Sequence, residues 1–199
     1  MLPVQQLGMR PDGFTLLELL IVMAIAAILS MLAVPAFVSL IADVSLSGYA
    51  NVFVSDARFA RSEAQKRGMN VVMCRSAAPD AVSPSCTVSG SSSDWKTGWL
   101  VFADANNNET YSAGDNDVLL RVQESLPRAS VFGPFGSDDS LDTRNYIRFT
   151  RDGRAANQED TFKAKGLGTL ADDDQLTRVI CVNSTGRMRI LPKGTLACS

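Results

Sequence analysis

The chain has no histidine among its 199 residues. That absence removes the usual Ser-His and Cys-His nucleophile pairs, and with them the imidazole ligands on which many zinc centres rely. No glycine-rich phosphate loop follows a β-type segment, and no carboxylate pair stands out for acid and base work. The sequence therefore offers no enzyme and implies no cofactor. None of the four cysteines, Cys74, Cys86, Cys181 and Cys198, falls in a Cys-x-x-Cys pair. Their spacing fits no common metal pattern. A formal net charge of −2 gives no global basic signal. Charge of either sign is missing altogether from Leu19 to Ala42, a run long enough for a helix to cross a hydrocarbon layer of ~30 Å.

What is present at the start of that run is Gly13-Phe14-Thr15-Leu16-Leu17-Glu18. A carboxylate at the edge of a membrane segment is costly unless paired or protonated, so Glu18 reads as functional. Cutting after Gly13 would create an amine at Phe14, a natural partner for the Glu18 of a neighbouring subunit. A secretory signal peptide would place its small residue after a short apolar core, whereas here it precedes a long one. The leader 1–13 carries Arg10 but also Asp12, so its positive-inside signal is weak.

Pro35 removes one backbone hydrogen bond from the apolar helix and favours a kink. After Asp43 the pattern becomes amphipathic: Leu46, Tyr49, Ala50, Phe53, Ala57, Ala60 and Ala64 recur at helical spacing. Asp56, Arg58, Arg61, Glu63, Lys66 and Arg67 are expected on the polar face, with Gly68 as the stop. Short β-forming runs follow at Val71–Met73, Trp99–Phe102, Val118–Leu120, Tyr146–Phe149, Val179–Val182 and Met188–Ile190, separated by Gly-, Ser-, Asn- and Asp-rich loops. The organisation expected is a leader at 1–13, a transmembrane half-helix at 14–42, an amphipathic half-helix at 43–68 and a β-rich domain at 69–199. The fold class is α+β, an antiparallel β-domain packed on the second half of a long helix. Because every cysteine lies beyond the membrane segment, that domain is expected in an oxidising compartment. Four cysteines allow three pairings; Cys74–Cys86 with Cys181–Cys198 is preferred because each closes a local loop.

The N-terminal segment resembles the signal of type IV pilins and type II secretion pseudopilins. Further stretches resemble the GspH/FimT/FimU group of minor pilins and pseudopilins. They are Ala60-Arg61-Ser62-Glu63-Ala64, Asp94-Trp95-Lys96-Thr97-Gly98-Trp99-Leu100-Val101-Phe102, Ile147-Arg148-Phe149-Thr150-Arg151-Asp152-Gly153-Arg154, and Cys181 to Cys198 around Gly186-Arg187-Met188-Arg189. The resemblance implies a pilin-like fold without enzymatic activity. It implies cleavage after Gly13 and N-methylation of Phe14 by a membrane-embedded prepilin peptidase. Glu18 would guide assembly, and Pro35 would mark the place where such helices loosen in a filament. The partners implied are other minor and major pilins or pseudopilins. The location implied is the inner membrane, single-pass with a periplasmic domain, and then the tip of a pilus or pseudopilus.

Two local clusters invite binding readings. Residues 178–199 carry Arg178, Arg187, Arg189 and Lys193 with no acidic side chain, whereas 91–143 hold nine acids against three bases. Gly186-Arg187-Met188-Arg189 resembles the Gly-Arg-x-Arg element with which FimT-type pilins bind DNA during uptake. Phosphate contacts of this kind are salt-sensitive and independent of sequence. No aromatic side chain lies in 178–199 to stack on bases, which favours a subunit-contacting basic face. The second cluster, Asp104, Asn106, Asn108 and Asp115, has offsets reminiscent of a calcium loop. It lacks the glycine at the sixth position and the glutamate at the twelfth. A hairpin loop is the simpler reading. The triplet Asp172-Asp173-Asp174 is expected to be a solvated loop.

Overall fold

The computed structural model describes residues 13–87, 94–136, 140–156 and 160–198, without the side chains of Leu32 and Pro35. The leader from Met1 to Asp12 and the side chain of Pro35 thus lie outside the described residues. Helix α1 runs from Leu16 to Arg67, and the chain divides into two compact units, Met1–Val38 and Ser39–Ser199. In the first unit every side chain described from Phe14 to Val38 is exposed, although nearly all are apolar. Such a surface has no reason to face water; it suits lipid or other helices.

In the second unit the helix is sided. Leu46, Ala50, Phe53, Ala57, Ala60 and Ala64 are buried, a 4-3-4-3-4 spacing that keeps one stripe inward. Gly68 ends the helix with φ +66°, its N–H donating to the Ala64 carbonyl at 3.0 Å. That left-handed step is cheap for glycine.

Eight strands follow: β1 Val71–Arg75, β2 Trp99–Ala103, β3 Val118–Gln123, β4 Val131–Phe135, β5 Tyr146–Phe149, β6 Asp160–Lys165, β7 Arg178–Val182 and β8 Met188–Ile190. They form two four-stranded sheets, ordered β3-β2-β1-β5 and β4-β6-β7-β8, with every pairing antiparallel. This is a pilin-like α+β architecture. The strands β4 and β6 are absent from the sequence expectation, for identifiable reasons. Gly133 and Pro134 interrupt β4, which a sheet edge tolerates because an outward position needs no N–H. In β6, Asp160, Lys163 and Lys165 disguise the buried Phe162 and Ala164.

Alternation along β1 and β2 divides the core. Val71, Met73, Trp99, Val101 and Ala103 join the helix stripe, while Val72, Cys74, Leu100 and Phe102 form a second cluster on the opposite face with Cys86. The Cys74–Cys86 disulfide lies in that second cluster, and Cys181–Cys198 ties β7 to the C-terminal tail. Phe53 occupies the centre of the main core. Its ring lies 4.8 to 5.7 Å from those of Phe162, Phe132, Trp99 and Trp95, three of them edge-on, the geometry that aromatic quadrupoles favour.

Three acidic residues of the helix, Asp43, Asp56 and Glu63, are partly or fully withdrawn from solvent, Glu63 pairing with Arg67 at 2.7 Å. Asp56, expected on the polar face, is buried; it accepts from Trp99 Nε1 at 2.9 Å and pairs with Arg121 at 2.7 Å. Arg121 in turn lies 3.9 Å over the Phe59 ring. Asp43 pairs with Arg178 and, at 2.7 Å, with Lys193. Arg178 also donates to Ser47 Oγ at 3.0 Å and to the carbonyls of Gln175, Leu176 and Thr177. Burial pushes its guanidinium below the ordinary value, a desolvation cost that these acceptors offset. The structure thus corrects the basic patch read from the sequence. Arg178 is only 4 % exposed, and Asp43 occupies both it and Lys193, because β7 brings Arg178, and the segment after β8 brings Lys193, against the helix.

Two stability effects follow. Phe53→Ala removes the ring on which four others converge and should cost about 3–5 kcal/mol. Arg178→Ala leaves half-buried Asp43 with Lys193 alone and should cost about 1–3 kcal/mol. Urea unfolding followed by Trp95 and Trp99 fluorescence measures both; a change under 1 kcal/mol for either would contradict the role given to that residue.

Candidate functional site

At the N-terminus, Gly13 and Phe14 precede the helix, and Phe14 is 86 % exposed. Thr15 Oγ1 accepts the Glu18 N–H at 3.2 Å, so Thr15-Leu16-Leu17-Glu18 has the pattern and one bond of a capping box. Glu18 itself is exposed and has no ion pair among the described residues. Its carboxylate stands alone at the start of an apolar surface.

The C-terminal basic element is built on two glycines. Asn183 Oδ1 accepts from the Arg187 N–H at 2.9 Å and from Thr185 Oγ1 at 2.7 Å, closing the β7–β8 turn. Gly186 has φ +75°, and a Cβ there would come within 2.4 Å of the Gly153 carbonyl oxygen. Gly153, φ +78°, would place its own Cβ 2.5 Å from Gln65 Nε2. Only glycine permits this stack of turn on turn on helix. Arg187 and Arg189 are consequently exposed along one wall of a cleft of about 960 Å³, and helix α1 brings Arg58 and Arg61 to its border. No carboxylate among the described residues pairs with any of these four. Arg61 Nε is buried with no hydrogen-bond partner. Asp160 also borders the cleft, but it pairs with Arg144. Burial holds its carboxyl above the usual range in spite of that arginine.

Sequence reasoning reached Arg187 and Arg189 but left Arg58 and Arg61 on a generic polar face. Their i, i+3 spacing places them together on the helix; only the Gly153–Gly186 contact brings the β7–β8 turn to them.

The acidic loop forms a self-contained connection between β2 and β3, the hairpin reading preferred from the sequence. Asp104 is buried. Its Oδ1 accepts from the N–H groups of Asn107 and Asn108 at 2.8 and 3.2 Å, and its Oδ2 from Glu109 at 3.1 Å. Asn106 and Asn108 side chains accept from the N–H groups of Asn108 and Thr110, while Asp117 binds the backbone of Ala105 and Ser112. Asp115 belongs to a short 3-10 turn. These oxygens serve the loop's own amides, and among the described residues no three His, Cys, Asp or Glu converge on a metal position. Asp173 likewise caps its own turn, accepting from Gln175 N–H at 2.9 Å. Trp95 and Trp99 are fully buried and belong to the core around Phe53.

Comparison with known proteins agrees with this architecture. Residues 49–186 match the family described as type II transport protein GspH, and residues 9–34 match the prokaryotic N-terminal methylation motif. A search of curated proteins returned no match. Among solved structures, the type IV minor pilin FimU of Pseudomonas aeruginosa is similar in two crystal forms. One gives 17 % identity and a TM-score of 0.53 over 77 % of this chain and 93 % of that one. The other gives 15 % identity and 0.51 over 77 % and 98 %. At this identity the likeness concerns the fold. The family match runs from Tyr49 on the amphipathic helix through β1 to β7 and ends at Gly186, and the methylation motif covers Gly13, Phe14 and Glu18. The chain therefore belongs to the GspH family of type II transport proteins, structural and non-enzymatic pseudopilins that carry an N-terminal methylation motif.

Proposed function

We propose that this pseudopilin is cleaved after Gly13, methylated at Phe14, and assembled as a minor subunit near the tip of a type II secretion pseudopilus or a type IV pilus. Before assembly it is anchored in the inner membrane by residues 14–42, with residues 69–199 in the periplasm. The observation that carries this reading is the uncovered apolar surface from Phe14 to Val38, opened by one unpaired carboxylate, Glu18. Inside a bundle of such helices the carboxylate needs a cation, and the Phe14 amine of a neighbouring subunit supplies one. The pair fixes axial register more than it adds net stability, because desolvation offsets much of its attraction. Pro35 is assigned the point where the helix yields in the filament, since it leaves one carbonyl without its intrahelical donor.

The alternative reading, DNA held by the Gly-Arg-x-Arg element during uptake, retains Arg187 and Arg189. It loses Arg178 and Lys193 to Asp43. The four arginines left around the cleft stand on an otherwise acidic chain, and no aromatic side chain among the described residues lines it, which supports subunit contact better than a nucleic-acid track.

Glu18→Gln separates assembly from helix capping, because glutamine also serves a capping box. Both Glu18→Gln and Glu18→Ala should be cleaved normally, shown by the mass of the mature chain, while their share in sheared filaments falls about tenfold or more. Normal incorporation of Glu18→Gln would reduce Glu18 to a cap and end the register mechanism.

A further inference from the structure

The arginine cleft is not used by the assembly mechanism at the other end of the chain. It lies wholly within the second unit, between helix α1 and the β7–β8 hairpin. Four guanidinium groups meet there from two elements far apart in sequence: Arg58 and Arg61, Arg187 and Arg189. Among the described residues none has an acidic partner, and one buried donor, Arg61 Nε, has no acceptor at all. Several other arginines of the same unit are neutralised: Arg178 by Asp43, Arg121 by Asp56, Arg148 by Glu109, Arg144 by Asp142 and Asp160. Leaving four unpaired guanidinium groups around one concavity is costly through mutual repulsion, and a partly buried donor without an acceptor adds to that cost. An anionic ligand removes both costs.

We propose that this cleft receives an acidic peptide segment of an adjacent subunit, its carboxylates held by Arg58, Arg61, Arg187 and Arg189. Guanidinium forks match carboxylates in bidentate geometry. A polyphosphate fits less well for two reasons on the molecule itself. No aromatic side chain borders the cleft to stack on bases. Beyond it the chain is acidic, with a sequence pI near 5.2, so a long polyanion is repelled wherever it leaves the arginines. A short acidic loop meets only the favourable region. Within a filament its effective concentration is high, so even a weak contact orients one subunit on the next. The proposal rests on the assembly reading for the identity of the partner, but its test does not pass through Glu18, and either can fail alone.

The test uses the mature full chain in dodecyl maltoside micelles and a dye-labelled hexaglutamate peptide, read by fluorescence anisotropy. Saturable binding that weakens between 50 and 300 mM salt, on the order expected for several ion pairs, is the expected result. Arg58→Gln with Arg189→Gln removes one exposed residue from each wall, and should weaken binding about tenfold or more with the thermal midpoint unchanged. Arg128→Gln with Arg151→Gln removes the same charge from exposed positions outside the cleft and should leave binding within about twofold. Three results would overturn the proposal: no peptide binding at low salt, equal losses in the two double variants, or tighter cleft-dependent binding of labelled duplex DNA than of the peptide. The last would assign the cleft to nucleic acid.

Discussion

Everything in the second unit depends on how closely two sheets can approach one helix. Ala50, Ala57, Ala60 and Ala64 leave that face of helix α1 nearly flat, and Phe53 is the one large side chain at its middle. A flat helix lets the strands come near, and the single ring then fills the volume between them. Trp95, in the short 3-10 turn Trp95–Thr97, and the aromatic residues of β2, β4 and β6 are arranged around that ring. Larger residues at the alanine positions would push the sheets away and open a void around Phe53, for which a close-packed interior has little tolerance.

Apolar contacts of this kind do not fix where each strand lies along the helix. The helix carboxylates do. Half-buried Asp43 holds Arg178 of β7, and buried Asp56 holds Arg121 of β3 together with the Trp99 indole. A one-residue slip of β3 or β7 would separate Arg121 from Asp56 or Arg178 from Asp43, so wrong registers are excluded more strongly than the correct one is stabilised. Beyond these two anchors, the Gly153–Gly186 contact sets the far corner of the domain, with Gln65 and Arg61 of the helix beneath it. That corner brings the helix arginines and the hairpin arginines together.

Much of the fold is legible in the sequence because it rests on periodicity. The helix stripe, the six regular strands and Gly68 as terminator follow from apolar spacing and from glycine's backbone freedom. The two strands β4 and β6 do not, since Pro134 and the lysines of β6 are legible as strand residues only once their neighbours in the sheet are known. The same limit governs the site. Gly13, Phe14 and Glu18 are contiguous, so their pattern is visible in the chain, whereas Asp43 with Arg178 and Arg58 with Arg187 are separated by more than a hundred residues.

By itself, then, the sequence determined the apolar N-terminal helix with its methylation motif, the amphipathic half that follows and a cysteine-bearing, β-rich remainder. These depend on local spacing and composition. Tertiary structure decided which charges are free. It withdrew Arg178 and Lys193 into a clamp on Asp43, turned the calcium-like loop into a set of internal caps, and left Arg58, Arg61, Arg187 and Arg189 around one cleft. The physical reason is that an ionic group's role is set by its partners within a few ångströms, and the chain brings those partners together only on folding.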